Sequence, residues 1–166
     1  MKMQIPIYET SNFYLQAANR PFIDRAEGGH LYLFPKKEVS DRTKLSSELA
    51  IEYMKLSMIA GEALMSAMKR RGVDIGIINY QDMGNWSVFK PEGPSLHLHI
   101  YGRATTATIQ KYGDAVSLPH RDTGFHDNFT PLNTEDIQEI KSDIAVLLKT
   151  KKYAGLWTEV DDGKDL

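Results

Sequence analysis

Two histidines one residue apart, His97 and His99, lie in the run Ser95-Leu96-His97-Leu98-His99-Ile100-Tyr101. Polar and apolar residues alternate through it, the two-residue period of a strand with one wet and one buried face. Ser95, His97, His99 and Tyr101 then share a face, and Leu96, Leu98 and Ile100 point into a core. Alternate residues on a strand sit roughly 6.5–7 Å apart. Two imidazoles at that spacing can touch neighbouring atoms of one ligand, or one metal ion if the rings lean together. Neutral imidazole is also a good nucleophile near physiological pH, because its unperturbed pKa is about 6.5. A third histidine, His30, opens the apolar run His30-Leu31-Tyr32-Leu33-Phe34-Pro35 behind a Gly-containing turn. There its side chain can face a pocket rimmed by the preceding loop. His120 and His126, with Asp122, lack the spacing of a standard metal-ligand set and read as structural or surface residues.

The elements that must carry these side chains are marked by period and punctuation. Phe13 to Ala18 reads as an early strand closed by Asn19-Arg20-Pro21, and His30 to Pro35 as a largely buried strand stopped by proline. The longest helix signal runs from Ser46 to Arg71, with a serine cap, basic residues Lys69-Arg70-Arg71 at the negative end of the dipole, and Gly72 as a stop. Leu49, Tyr53, Leu56, Ala60, Ala63 and Ala67 form one stripe on it, and Met54, Met58, Met65 and Met68 a second line beside that. Methionines so spaced are core or interface filling. A stripe this wide predicts burial on two sides and hence a homodimer.

Val73 to Tyr80 reads as a strand, followed by an amide- and acid-rich loop, Gln81 to Trp86. Gly93-Pro94 and Gly102-Arg103 bound the histidine strand, and residues 104–132 look irregular. Asn133 caps a final helix, with Asp136 three residues on and Ile137, Ile140, Ile144, Leu147 and Leu148 on one face. Trp86 and Trp157 read as packing residues. The pattern predicts an α+β fold: a mostly antiparallel sheet of about five strands, one long helix and a C-terminal helix. One domain is expected over residues 1–166, with its core over 10–150 and a frayed tail over 158–166.

Composition narrows the function classes. A net charge of −2 gives no global attraction to nucleic acid or to an anionic membrane. Cysteine is absent, which excludes disulfides and thiolate metal sites and fits a reducing compartment. The first residues lack the apolar run of a signal peptide, and no stretch approaches the roughly 20 apolar residues of a membrane span. A cytoplasmic protein is expected, with no membrane and no nucleic-acid partner.

Three segments in order resemble the histidine triad (HIT) family of nucleotide hydrolases and transferases. That family's signature is His-x-His-x-His with apolar x on a strand. Here Ser95-Leu96-His97-Leu98-His99-Ile100-Tyr101-Gly102-Arg103 keeps the spacing, the apolar fillers and the Gly-Arg exit, with Ser95 in place of the first histidine. Gly29 to Lys37 looks like the family's histidine-bearing strand that ends in Pro-Lys. Asn79-Tyr80-Gln81-Asp82 looks like the segment whose Gln or Asn contacts phosphate, and Asn19-Arg20 is similar to a ribose-contacting Asn-Arg. Glu92 stands where the family's hydrolases often carry Ser or Thr.

The resemblance implies a reaction at the α-phosphate of a nucleoside phosphoryl compound: a dinucleoside polyphosphate, a phosphoramidate or an acyl adenylate. His97 would attack and become a nucleotidyl-histidine, its second nitrogen held by the Ser95 main-chain carbonyl. His99 would bind the non-bridging oxygens or the leaving group, and His30 would sit near the same phosphate. Gln81 would add a donor, Asn19 or Asp24 would hold ribose hydroxyls, and Phe22, Ile23 and Leu31 would line an apolar slot for the base, a purine for preference. No cofactor and no metal ligand is expected. Two alternatives remain from the residues themselves: a nucleotide-binding module that has lost efficient chemistry, with Ser95 as the lesion, and a metal-dependent β-protein using His97 and His99 as ligands.

Overall fold

Ser46 accepts a hydrogen bond from the Leu49 N–H (3.4 Å), satisfying one orphan amide at the start of a helix. That helix, α1, spans Ser47–Arg70. At its far end Gly72 takes a left-handed backbone (φ +82°), which lets the Gly72 and Val73 N–H groups return to the Lys69 and Met68 carbonyls at 3.1 and 2.8 Å. Only a residue without a Cβ makes that turn cheaply. This computed structural model describes residues 6–82 and 85–154. The N-terminal residues 1–5, Trp157 and the 158–166 tail lie outside the described residues.

Five strands form one antiparallel sheet: β1 (Tyr8–Glu9), β2 (Phe13–Ala17), β3 (His30–Pro35), β4 (Ile75–Gln81) and β5 (Leu98–Ala104), in the order β1-β2-β3-β5-β4. A second helix, α2, spans Thr134–Leu147. The architecture is thus α+β, as the sequence predicts. Helix α1 lies on one face of the sheet. Its Tyr53, Leu56, Ala60, Ala63 and Ala67 meet Phe13, Leu15, Leu31, Leu33, Leu98 and Ile100 in one core. The small residues at 60, 63 and 67 bring the helix close, and Gly61 passes under the Tyr80 hydroxyl, where a Cβ would collide. Of the methionine line, Met68 is buried in this core and Met65 packs against it, whereas Met54 and Met58 are exposed.

Two expectations need correction. Strand β5 begins at Leu98, so Ser95 and His97 belong to the chain leading into it. And β5 has no wet face, because all of its seven residues are buried. The second face is covered because residues 104–132 fold back over it, with Val116 and Leu118 packing on Phe22, Ile23 and Tyr101.

Two buried side chains fix that irregular segment by its main chain. The Glu27 carboxylate accepts from the N–H groups of Thr108 (2.7 Å), Ile109 (2.6 Å) and Gln110 (2.8 Å). Arg103 donates to the carbonyls of Gln110, Lys111 and Asp114 at 3.2, 2.9 and 3.0 Å, and to Asn79 Oδ1 at 2.8 Å. One grip takes the amides and the other the carbonyls, so a stretch without secondary structure keeps its backbone satisfied.

Asp136 plays the same part at the helix ends. It closes a capping box with Asn133, accepts both arms of Arg25 (2.6 and 2.7 Å), and accepts Arg71 at 3.1 Å. Burial works to raise its pKa, and these hydrogen bonds outweigh it and hold it below the ordinary carboxylate range.

Candidate functional site

The antiparallel register lines up the polar face of the sheet. Tyr32 stands opposite His99, which stands opposite Gln81, while His30 stands opposite Tyr101, which stands opposite Asn79. Directly opposed residues share a face, so β3, β5 and β4 deliver this set to one side without help from any loop. His97 leans in from just before β5, its ring centroid 4.8 Å from that of His99 and stacked on Phe34 at 5.7 Å.

Beside these rings opens a cavity of about 390 Å³, within the size range of small-molecule sites. It is lined by Tyr32, His97, His99, Tyr101 and Gln81 from the sheet and the chain leading into β5, by Trp86, Ser87 and Lys90 from the loop after β4, and by Phe22, Leu118 and Arg121. The Arg121 guanidinium carbon lies over the Phe22 ring, 4.0 Å from its centroid, and the side chain donates to the Arg20 carbonyl at 2.7 Å. Burial raises the Tyr32 hydroxyl pKa, and the Arg121 guanidinium opposes that rise.

The protons of the three histidines can be assigned from their partners. The Phe22 main-chain N–H donates to Nδ1 of His30 (3.1 Å), and Nε2 of His30 lies 3.1 Å from Nδ1 of His99. A main-chain N–H can only donate, so neutral His30 keeps its proton on Nε2 and passes a hydrogen bond to His99. His99 must then carry its own proton on Nε2. Burial holds both rings neutral: it pushes His99 down to about 3 and His30 well below the usual histidine value, helped by neighbouring positive groups. His97 has the opposite arrangement. Its Nδ1 lies 2.8 Å from the Ser95 carbonyl, which can only accept, so in the neutral ring the proton sits on Nδ1 and Nε2 keeps a lone pair. Side by side stand one nucleophilic nitrogen and one N–H donor.

Of the residues singled out in the sequence, His97, His99, Gln81 and Phe22 line the cavity. His30 does not. It is 1% exposed and sits behind His99, because both of its nitrogens are engaged within the protein. Leu31 points the other way, into the core under α1, as the strand period requires for a neighbour of His30. Ile23 is fully buried against Phe22 and Tyr101.

Asp24 is a turn residue. Its carboxylate accepts from Ala26 N (2.7 Å), Thr130 N (2.6 Å) and Thr130 Oγ1 (2.9 Å), outside the cavity wall. Asn19 is exposed and lines no part of the cavity, and the Ser95 side chain and Glu92 are exposed as well. His120 is an exposed cap that touches Trp86, and His126 is buried among Phe22, Phe125 and Phe129. Trp86 does face the cavity, while contacting Phe22 edge-on. Among the described residues no group of three or more His, Asp or Glu side chains is placed to hold a metal ion, and no helix is long and apolar enough to cross a membrane.

Reasoning from sequence missed Tyr32, Lys90, Leu118 and Arg121. Tyr32 carries a signal, since it is two residues from His30 on the same strand. The other three sit in irregular chain, where no period reports the direction of a side chain.

This sheet order, with a long helix on one face and histidines on the other, is the histidine triad fold. No protein-family model and no curated protein sequence matches the chain. Solved structures do. The chain is similar to a hypothetical histidine triad nucleotide-binding protein from Sulfolobus tokodaii, at 15% identity and a TM-score of 0.55, over 87% of this chain and 85% of that one. A histidine triad protein from Marinobacter aquaeolei shares 19% identity at a TM-score of 0.55, over 87% and 88%. A zinc-bound histidine triad family protein from Mycobacterium smegmatis shares 19% at 0.53, over 86% and 84%. At these identities the likeness is one of fold.

Proposed function

We propose that the cavity binds a nucleotide and that the protein hydrolyses or transfers its nucleotidyl group through a covalent bond to His97. The observation that carries this reading is the pair of opposite tautomers on adjacent rings of the cavity lining. Nε2 of His97 attacks the α-phosphorus; an N–P bond forms, the bond to the leaving oxygen breaks, and the leaving group departs with the electron pair. The His99 N–H faces the phosphoryl oxygens, where charge builds up in the transition state. Water or another acceptor then takes the nucleotidyl group, the N–P bond breaks, and the acceptor's proton passes to the medium. Phe22, Trp86 and Leu118 offer flat and apolar surface for the base, for which a purine is the natural fit.

The test is His97→Ala. Turnover on a panel of nucleotides should fall by at least about 10³-fold, with nucleotide affinity held within about threefold. Wild-type protein quenched during turnover should gain the mass of one nucleotidyl group, and the variant should not. Turnover that survives the substitution ends the proposal.

A binding module without chemistry is the second reading. It draws support from Ser95, whose exposed hydroxyl leaves the first motif position without a side chain on the cavity wall. Nucleotide binding by wild-type protein with no turnover on any substrate favours it.

The same reading includes a homodimer and a cytoplasmic setting. Strand β4 is an edge of the sheet; Ile77 on it (50% exposed) and Ile51, Met54 (53% exposed) and Met58 on α1 present apolar surface. Two copies pairing there would cover it. Sedimentation should give a dimer that Met54→Glu splits; a wild-type monomer at micromolar concentration refutes the pairing.

A further inference from the structure

We infer that Arg121, with Lys90 of the same cavity lining, binds a leaving group that departs as an anion, so the site takes phosphoanhydrides and mixed anhydrides in preference to phosphoramidates. The inference rests on the reading that a nucleotide occupies the cavity.

The charge of the cavity comes from its lining. Among the described residues, Arg121 and Lys90 are the Arg and Lys side chains that line it, they belong to two separate loops, and no carboxylate lines it. Asp82, next to Gln81 in sequence, is paired with Arg42 at 2.6 Å. Arg121 is held in place without being used up: its guanidinium carbon rests over the Phe22 ring, and the Arg20 carbonyl and the Tyr32 hydroxyl take two of its five N–H donors. A supported guanidinium suits the two-pronged recognition of phosphate or carboxylate.

The histidines point the same way. His30 and His99 are neutral, so His99 offers the leaving atom a hydrogen bond from Nε2 and no acidic proton. An amine expelled from phosphorus needs a proton as it leaves. A phosphate or a carboxylate does not, because its negative charge is stable and can be met by a fixed cation. Arg121 is close enough to the histidines for its charge to help keep both neutral. It thereby withdraws the proton donor an amine would need while supplying the counter-charge an anion uses. Neither effect requires Arg121 to touch the attacked phosphorus, which makes it a determinant of specificity.

The experiment is calorimetric titration of AMP and ADP into wild-type protein and into Arg121→Lys, Arg121→Gln and Lys90→Gln, with thermal unfolding of each as a check on folding. Wild type should bind ADP at least tenfold more tightly than AMP. Arg121→Gln should reduce that ratio to about twofold with little change for AMP, Arg121→Lys should keep part of it, and Lys90→Gln should lower it without touching the Arg121 contacts. Raising salt from 50 to 300 mM should weaken ADP more than AMP. Equal affinity of wild type for AMP and ADP, or a ratio that survives both Gln variants, overturns the inference and leaves the nucleotide reading intact. Failure to bind either nucleotide removes that reading, and the inference falls with it.

Discussion

His30 Nε2 lies 3.1 Å from His99 Nδ1, and His30 is shut off from the cavity that His99 lines. His30 therefore acts through its neighbour, fixing which nitrogen of His99 bears the proton. His30→Phe should lower kcat about 10- to 100-fold while leaving KM for the nucleotide within about threefold, because the ring it removes touches no substrate. His30→Gln can still accept from the Phe22 N–H and donate to His99, so it should recover part of the loss. Steady-state kinetics on the three proteins decides the matter; a large KM effect would mean that His30 meets the substrate directly.

The two neutral histidines also set the acid limit of stability. His99 is held at about 3 in the folded chain, against about 6.5 in the unfolded one. Between those values the unfolded chain binds more protons, so stability is complete above about pH 6.5 and is lost as pH falls toward 3. From pH 7 to 4.5 the loss from His99 alone is on the order of 2 kcal/mol, with a further loss of the same sign from His30. Urea unfolding across this range should show the slope, and His99→Gln should flatten it. An unchanged slope in the variant would place the titrating group elsewhere.

Glu27 accepts three main-chain N–H groups. Glu27→Gln sets an amide N–H against donors and removes the charge that binds them, at a cost of about 2–4 kcal/mol. The damage should begin in residues 104–117. Limited proteolysis should cut there in the variant under conditions that spare the wild type, and equal resistance would show that Arg103 alone suffices.

Gly28 and Gly102 mark a backbone crossing. A Cβ on Gly102 would come within 2.3 Å of the Gly28 carbonyl oxygen, and Gly28 itself has φ +128°. Gly102→Ala should cost at least about 3 kcal/mol and lower the melting temperature by about 6–12 °C. A shift below 2 °C would mean that the loop before β3 can back away from β5.

Much of the fold is legible in the sequence because its elements are locally determined. Ser46, Gly72 and the Asn133–Asp136 box mark helix ends that the structure keeps within a residue, and the apolar runs of β2 and β3 fall where their period puts them. The site is legible only in part. His97 and His99 come together because they are two residues apart, and a glance at Tyr32 along the same strand as His30 would have extended the site. Arg121 is brought to the cavity by contacts remote in sequence: Glu27 and Arg103 hold the chain before it, and Arg20 and Phe22 receive its side chain. Asp24 is placed by local chemistry that the apolar period does not report: a short acid beside a turn finds main-chain amides first, and its carboxylate caps Ala26 and Thr130. Leu31 follows from period alone, since it alternates with His30.

Because Glu27 and Arg103 grip mainly peptide groups, the exposed residues 111–115 of the stretch they hold can change while its course is kept, with buried Gln110 fixed by its own bonds to Phe22 and Ser117. Leu118 and Arg121 follow shortly after it, and neither takes part in the grip of Glu27 and Arg103. If the cavity binds a nucleotide, its selectivity should be open to change at the cavity-lining position 121, and at 118 by apolar exchanges that keep the packing on Phe22 and Tyr101, without unfolding the chain.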